Sequence, residues 1–147
     1  MNRATQERNN VSLNPRQMYE NIIGEGNDVE LVVRRLITSL GFKSKLLGTK
    51  YLEHAILYRY NNASNFRVGM TNSAYVDVAN RCNSTANRVE RAIRNSIINC
   101  YEHGALIRFN DLAQAPIIRV EFAPSNGEFM SSVVNWLQLE KHSGRIK

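Results

Sequence analysis

From Thr85 to His103 an apolar residue returns every three or four positions, and the positions between carry arginines. At 100° per residue, with Val89 at zero, Ala86, Ile93, Ser96, Ile97 and Cys100 fall between about −20° and 80°. By the same arithmetic Asn87, Arg91 and Arg94 fall between about 140° and 200°, diametrically opposite. Arg88 and Asn95 stand on one flank of that outward face and Glu90 on the other. A segment patterned this way has one stable solution, a helix that lays its apolar stripe on a core and holds its cations in water.

The same period recurs along the chain. Val29, Val33, Leu36, Ile37 and Leu40 form one stripe, ended by Gly41 as a C-terminal cap would end it. Leu47, Tyr51, Leu52, Ala55, Ile56 and Arg59 form a second, with Ser44 placed to cap it. Residues 61–72 read as a loop by composition. A helix beginning at Asn72 or Ser73, with Tyr75, Val76 and Ala79 as its buried side, breaks at Asn83–Ser84 just before the arginine-bearing helix. Residues 106–116 form a short element stopped by Pro116, and "IIRVEF" (117–122) is a brief β-branched stretch. Ser125 and Glu128 have the spacing of a capping box ahead of Phe129, Val133, Trp136 and Leu137 on one face. Residues 1–27, rich in Asn, Gln and Gly, read as a flexible polar leader. The sequence thus predicts an all-α domain over 28–147, of five to six helices, within the size of a single domain.

Charge narrows the function. Residues 1–40 and 109–147 are each balanced, so the entire net charge of +6 lies between 41 and 108. A concentrated basic face is the electrostatic footprint of a polyanion, and nucleic acid leads the candidates. Glu90 is one acid among Arg81, Arg88, Arg91 and Arg94, too few to make the ridge a set of helix-surface ion pairs. Other classes have little support. No apolar run is long enough to cross a membrane, and the polar start has no secretory h-region. Cys82 and Cys100 are read as small thiols of a reducing cytoplasm rather than a disulfide framework. His54, His103 and His142 are scattered, Glu53–His54 lacks zinc-site spacing, and Cys82, Cys100 and His103 lack a fourth ligand. The sequence predicts no enzyme, no cofactor and no metal.

The paired helices fit a helix-turn-helix over about 73–103. Tyr75 takes its first position, Ala79 is the small residue where the helices cross, Asn83 tolerates a left-handed turn, and Val89 and Ala92 lock the second helix onto the first. In that arrangement an outward ridge enters the major groove, where guanidinium forks match guanine O6/N7 and a carboxylate accepts from cytosine N4. "STANRVERAIRNSI" (84–97) resembles the recognition helix of the C-terminal effector domain of the master sporulation response regulator. "GTKYLEHAILYRY" and "PSNGEFMSSVVNWLQLEKH" resemble that family's second and last helices, so the likeness covers about 28–143.

The resemblance implies a six-helix domain that regulates transcription by binding a short promoter box resembling TGTCGAA. Matching positions carry base and phosphate contacts over to Arg88, Glu90, Arg91 and Arg94. With the ridge geometry and charge position, the expected base readers are Asn87, Glu90, Arg91 and Arg94. The expected phosphate contacts are Arg88, Asn95, Lys43, Lys45 and Lys50. The expected partner is double-stranded DNA, with the RNA polymerase sigma subunit and a second copy of the chain on DNA as further partners. Asn95 and Ser96 depart from the histidine and apolar residue usual in the family. Twenty-seven polar residues are also too few for the receiver domain that normally precedes the effector, so no phosphorylation switch is expected. The alternative is a stand-alone interaction module that modulates the full-length regulator or polymerase and binds DNA weakly.

Overall fold

The computed structural model describes residues 14–24, 28–63 and 70–147. Among them are seven helices and no strand: α1 (Pro15–Ile23), α2 (Val29–Ser39), α3 (Leu47–Asn61), α4 (Met70–Cys82), α5 (Ala86–Glu102), α6 (Ala105–Ala113) and α7 (Asn126–His142). The helical periods read from the sequence are therefore the elements of the fold. The count is higher by one because residues 14–24, expected within a flexible leader, form α1. Asn14 caps it reciprocally with Gln17, and Pro15 opens its first turn. Ile22 is fully buried, and the Tyr19 hydroxyl donates to Glu140 Oε2 at 2.5 Å. Residues 1–13 and 25–27 of that leader, and 64–69 of the expected loop, lie outside the described residues.

α3 is the hub, packing on α2, α4, α5 and α7. Its buried side is Tyr51, Leu52, Ala55, Ile56 and Arg59, as its period predicts. Leu47, however, is 63% exposed, and the buried run starts at Gly48. Gly48 is where α3 meets α5: a Cβ there would overlap Ser96 Oγ and the Ala92 carbonyl. The backbones touch because the residue has no side chain. Ser44 does not cap this helix; Leu46 holds the cap position without a side-chain bond. Under α3 an aromatic cluster fills the floor, with Phe129 at 5.6 Å from Phe42 and 6.4 Å from Phe109 between ring centres. Arg59, 4% exposed, donates to the Gly127 carbonyl (3.2 Å) and Ser131 Oγ (2.8 Å), tying α3 to α7.

α4 buries Ala74, Tyr75, Val78 and Ala79. Val76, expected on that stripe, is 51% exposed, because a helix that turns Tyr75 and Ala79 inward takes Ala74 and Val78 with them. Residues 117–122 pair with no strand. Asn110 of α6 clamps them, donating from Nδ2 to the Ile118 carbonyl and accepting from its amide at Oδ1. A β-branched run with no second strand has no ladder to join. Cys100 is buried and Cys82 half-buried. Burial pushes the Cys100 thiol up to about 11, keeping it protonated.

Candidate nucleic-acid interface

Thr85 caps α5, its Oγ1 accepting from the Arg88 amide at 3.2 Å. Three residues separate it from α4, and Asn83 among them has φ 53°, the left-handed turn its amide side chain tolerates. Val89, Ile93, Ser96, Ile97 and Cys100 are buried beneath the helix. Asn87, Arg88, Glu90, Arg91 and Asn95 are exposed. The arginine ridge predicted from periodicity is thus a solvent face along the first half of α5.

Arg94 is different. It is only half-exposed and donates to the Pro124 carbonyl, so it leans on the segment leading into α7 instead of standing clear. The start of α7 is fastened once more to α5 and once to α4. Asn126 Nδ2 donates to the Glu90 carbonyl and to the Tyr75 hydroxyl, both at 3.1 Å. Burial raises the Tyr75 hydroxyl above its ordinary range, with the Asn126 bond opposing. An open groove of about 780 Å³ results, and Asn87, Glu90, Arg91 and Arg94 all line it together with the start of α7. The four expected base readers are therefore brought together, three on the open ridge and one held at the groove wall. The periodicity of α5 alone could not reveal that wall, because Pro124 and Asn126 are some thirty residues away in the chain.

The expected phosphate contacts divide. Arg88 and Asn95 stand on the flank of α5 that also bears Ala92 and Ser96, so it is the flank against which Gly48 packs. Lys43 and Lys45 are exposed on the loop that leads into α3 beside that contact. Lys50 instead lines a second groove, between α2, α3 and α4, with Arg34, Glu53, His54, Asp77 and Arg81. There burial raises the Glu53 carboxyl and Arg34 lowers it, while burial and the charges of Lys50 and Arg81 lower the His54 imidazole. Among the described residues no three His, Cys, Asp or Glu side chains converge on a metal-sized site, and no helix is long and apolar enough to cross a membrane.

With this geometry, residues 33–137 match the family described as Sporulation initiation factor Spo0A C terminal. The chain belongs to that family. The match covers the core from α2 to α7 and all of α5, including the "RVERAIR" ridge. The Spo0A C-terminal family is a DNA-binding domain of sporulation transcription regulation and not an enzyme family. The exposed arginines Arg88 and Arg91 of α5 agree with that class. The matched span does not reach α1 or Arg145, so the Tyr19–Glu140–Arg145 contact that docks α1 lies outside it.

Proposed function

We propose that residues 28–147, with α1 packed on them, form a sequence-specific DNA-binding unit of transcription regulation. In this reading α4 and α5 act as a helix-turn-helix over 73–103 and α5 lies in the major groove of a short promoter box resembling TGTCGAA. The observation that carries it is the exposed first half of α5, where Asn87, Arg88 and Arg91 project opposite the buried Val89 and Ile93. Asn87, Glu90, Arg91 and Arg94 read base edges. Arg91 suits guanine, and Glu90 suits the cytosine amino group. Arg94 reads with the part of its fork that Pro124 leaves unoccupied, in an orientation fixed beforehand. Arg88, Asn95, Lys43, Lys45 and Lys50 hold phosphates, which position the protein without reading sequence.

The test is a competition between a cognate box and a scrambled duplex across a salt series. Four to six phosphate contacts give a log–log slope of roughly −4 to −5, from about 0.9 per contact. A slope near zero on duplex DNA would sink the reading. A slope of that size with less than about a tenfold cognate preference would leave non-specific binding only. The sigma subunit and a second copy on DNA remain the proposed protein partners, tested by adding each to the same footprint.

A further inference from the structure

Most of the large apolar side chains exposed among the described residues have a carboxylate as chain neighbour. Leu31 follows Glu30, Val76 precedes Asp77, Phe122 follows Glu121 and Leu139 precedes Glu140. Leu46 and Leu47 are different. They adjoin each other, 48% and 63% exposed, in a run from 31 to 52 that holds no acid. Lys43 and Lys45 precede them on the loop and Lys50 follows, all three exposed. An i,i+3 spacing brings Lys50 beside Leu47 on the surface of α3. Scattered exposed apolar residues are ordinary, whereas an adjacent pair rimmed by cations marks a contact surface for an anionic partner.

The fold fixes where this pair stands. Gly48, the next residue, abuts the Ala92 carbonyl and Ser96 Oγ of α5. Leu47 is therefore one residue from the α3–α5 seam, and Leu46 two, on the flank of α5 that carries Arg88 and Asn95. The buried side of α3 begins only at Gly48, so neither leucine is spent on the core. When a helix fills a major groove, one strand of the duplex runs along such a flank. That strand alternates phosphates, which suit lysines, with deoxyribose rings, whose carbon faces are apolar. Two leucines among lysines match the alternation.

We propose that Leu46 and Leu47 pack on deoxyribose of the strand beside the Arg88 flank, next to the phosphates that Lys43 and Lys45 hold. The inference rests on the DNA reading above and deepens it, adding an apolar contact to a face otherwise ionic and polar. Cations release counterions from DNA, so their share of the affinity falls as salt rises. An apolar contact releases none, and its share persists. The pair thus strengthens binding to duplex of any sequence without adding to the salt dependence.

The test is the double variant Leu46→Gln, Leu47→Gln, which keeps side-chain length, charge and helix propensity. Both positions are exposed, so the urea midpoint should stay where it is. Affinity for cognate and scrambled duplexes should fall alike, about tenfold at fixed salt, with the log–log salt slope unaltered. Lys43→Gln with Lys45→Gln should instead flatten that slope by about two. In the complex with duplex DNA, the leucine methyl protons should show nuclear Overhauser contacts to deoxyribose protons. A leucine variant that binds as tightly as the unaltered chain, or that loses affinity for the cognate box alone, overturns the contact and leaves the DNA reading standing. So does one whose slope flattens as the lysine variant's does. If the unaltered chain binds no duplex at any salt, the DNA reading falls and the contact with it. Binding instead to phosphatidylglycerol vesicles, lost in the leucine variant, would assign the pair to a membrane surface and overturn the proposal too. Should the double variant fail to fold, Leu47→Gln alone carries the decision, with a loss of about threefold.

Discussion

α5 is flanked by the beginnings of two other helices, and the two are finished in opposite ways. On the Arg94 side, the start of α7 is bonded into the fold by its side chains. Ser125 Oγ accepts from the Glu128 amide, Asn126 bridges the Glu90 carbonyl and the Tyr75 hydroxyl, and Pro124 holds Arg94. On the Arg88 side, α3 starts with no side-chain cap, beside lysines, and meets α5 in a close backbone approach at Gly48. The comparison teaches what each flank is for. Polar groups consumed inside the fold position the ridge, and polar groups left open are available to a partner.

The comparison breaks most readily at Gly48. Gly48→Ala places a methyl group against the Ala92 carbonyl, which is backbone and cannot rotate away. Stability to urea should fall by about 2–3 kcal/mol as the α3–α5 seam opens, and DNA affinity should fall with it. Arg91→Ala should do the reverse. Exposed and without a hydrogen bond or ion pair among the described residues, it should leave the urea midpoint unchanged and cost about 1–3 kcal/mol on a cognate box, relaxing preference at one base. Competition assays beside denaturation curves separate the two.

On the bonded flank, Asn126→Ala removes both bridges at once. About 1–2 kcal/mol of stability should go, and base discrimination by Arg94 should blur as the Pro124 segment loosens. On the open flank, Arg88→Ala should leave stability alone, weaken cognate and scrambled duplexes alike, and flatten the salt slope by about one. If Arg88→Ala changed sequence preference instead, the division between the flanks would have to be redrawn.

The smallest effect concerns pH. Burial raises the Tyr75 hydroxyl above its ordinary 10.0. A group that holds its proton more tightly when folded contributes stability that is complete below about pH 10 and is lost as pH climbs through the raised value. Denaturation midpoints should therefore drop on the alkaline side of pH 10. Tyr75→Phe should reduce that drop and, by removing the acceptor of the Asn126 bond, lower stability near neutral pH by about 0.5–1 kcal/mol.

Much of this protein is determined by local pattern. Apolar residues at helical period specify α2, α3, α5 and α7, because burying one stripe is a condition each helix meets residue by residue. The left-handed Asn83, the Thr85 and Ser125 caps and the exposed Arg88 and Arg91 follow from the same short-range rules. α1 was legible too, in the Asn14–Pro15–Gln17 start signal, but the polar composition around it reads as a leader. What keeps it on the body is the burial of Ile22 against the core and the bond between the distant pair Tyr19 and Glu140. The remainder was decided by contacts between residues far apart in sequence. Nothing in "RVERAIR" says that Arg94 will lean on Pro124, and nothing in "KSKLLGTK" says that Gly48 will touch Ala92 and Ser96. A helical period fixes which way a side chain points from its own axis. Only the packing of helices fixes what stands there to meet it, and whether a polar group is satisfied within the fold or left for DNA.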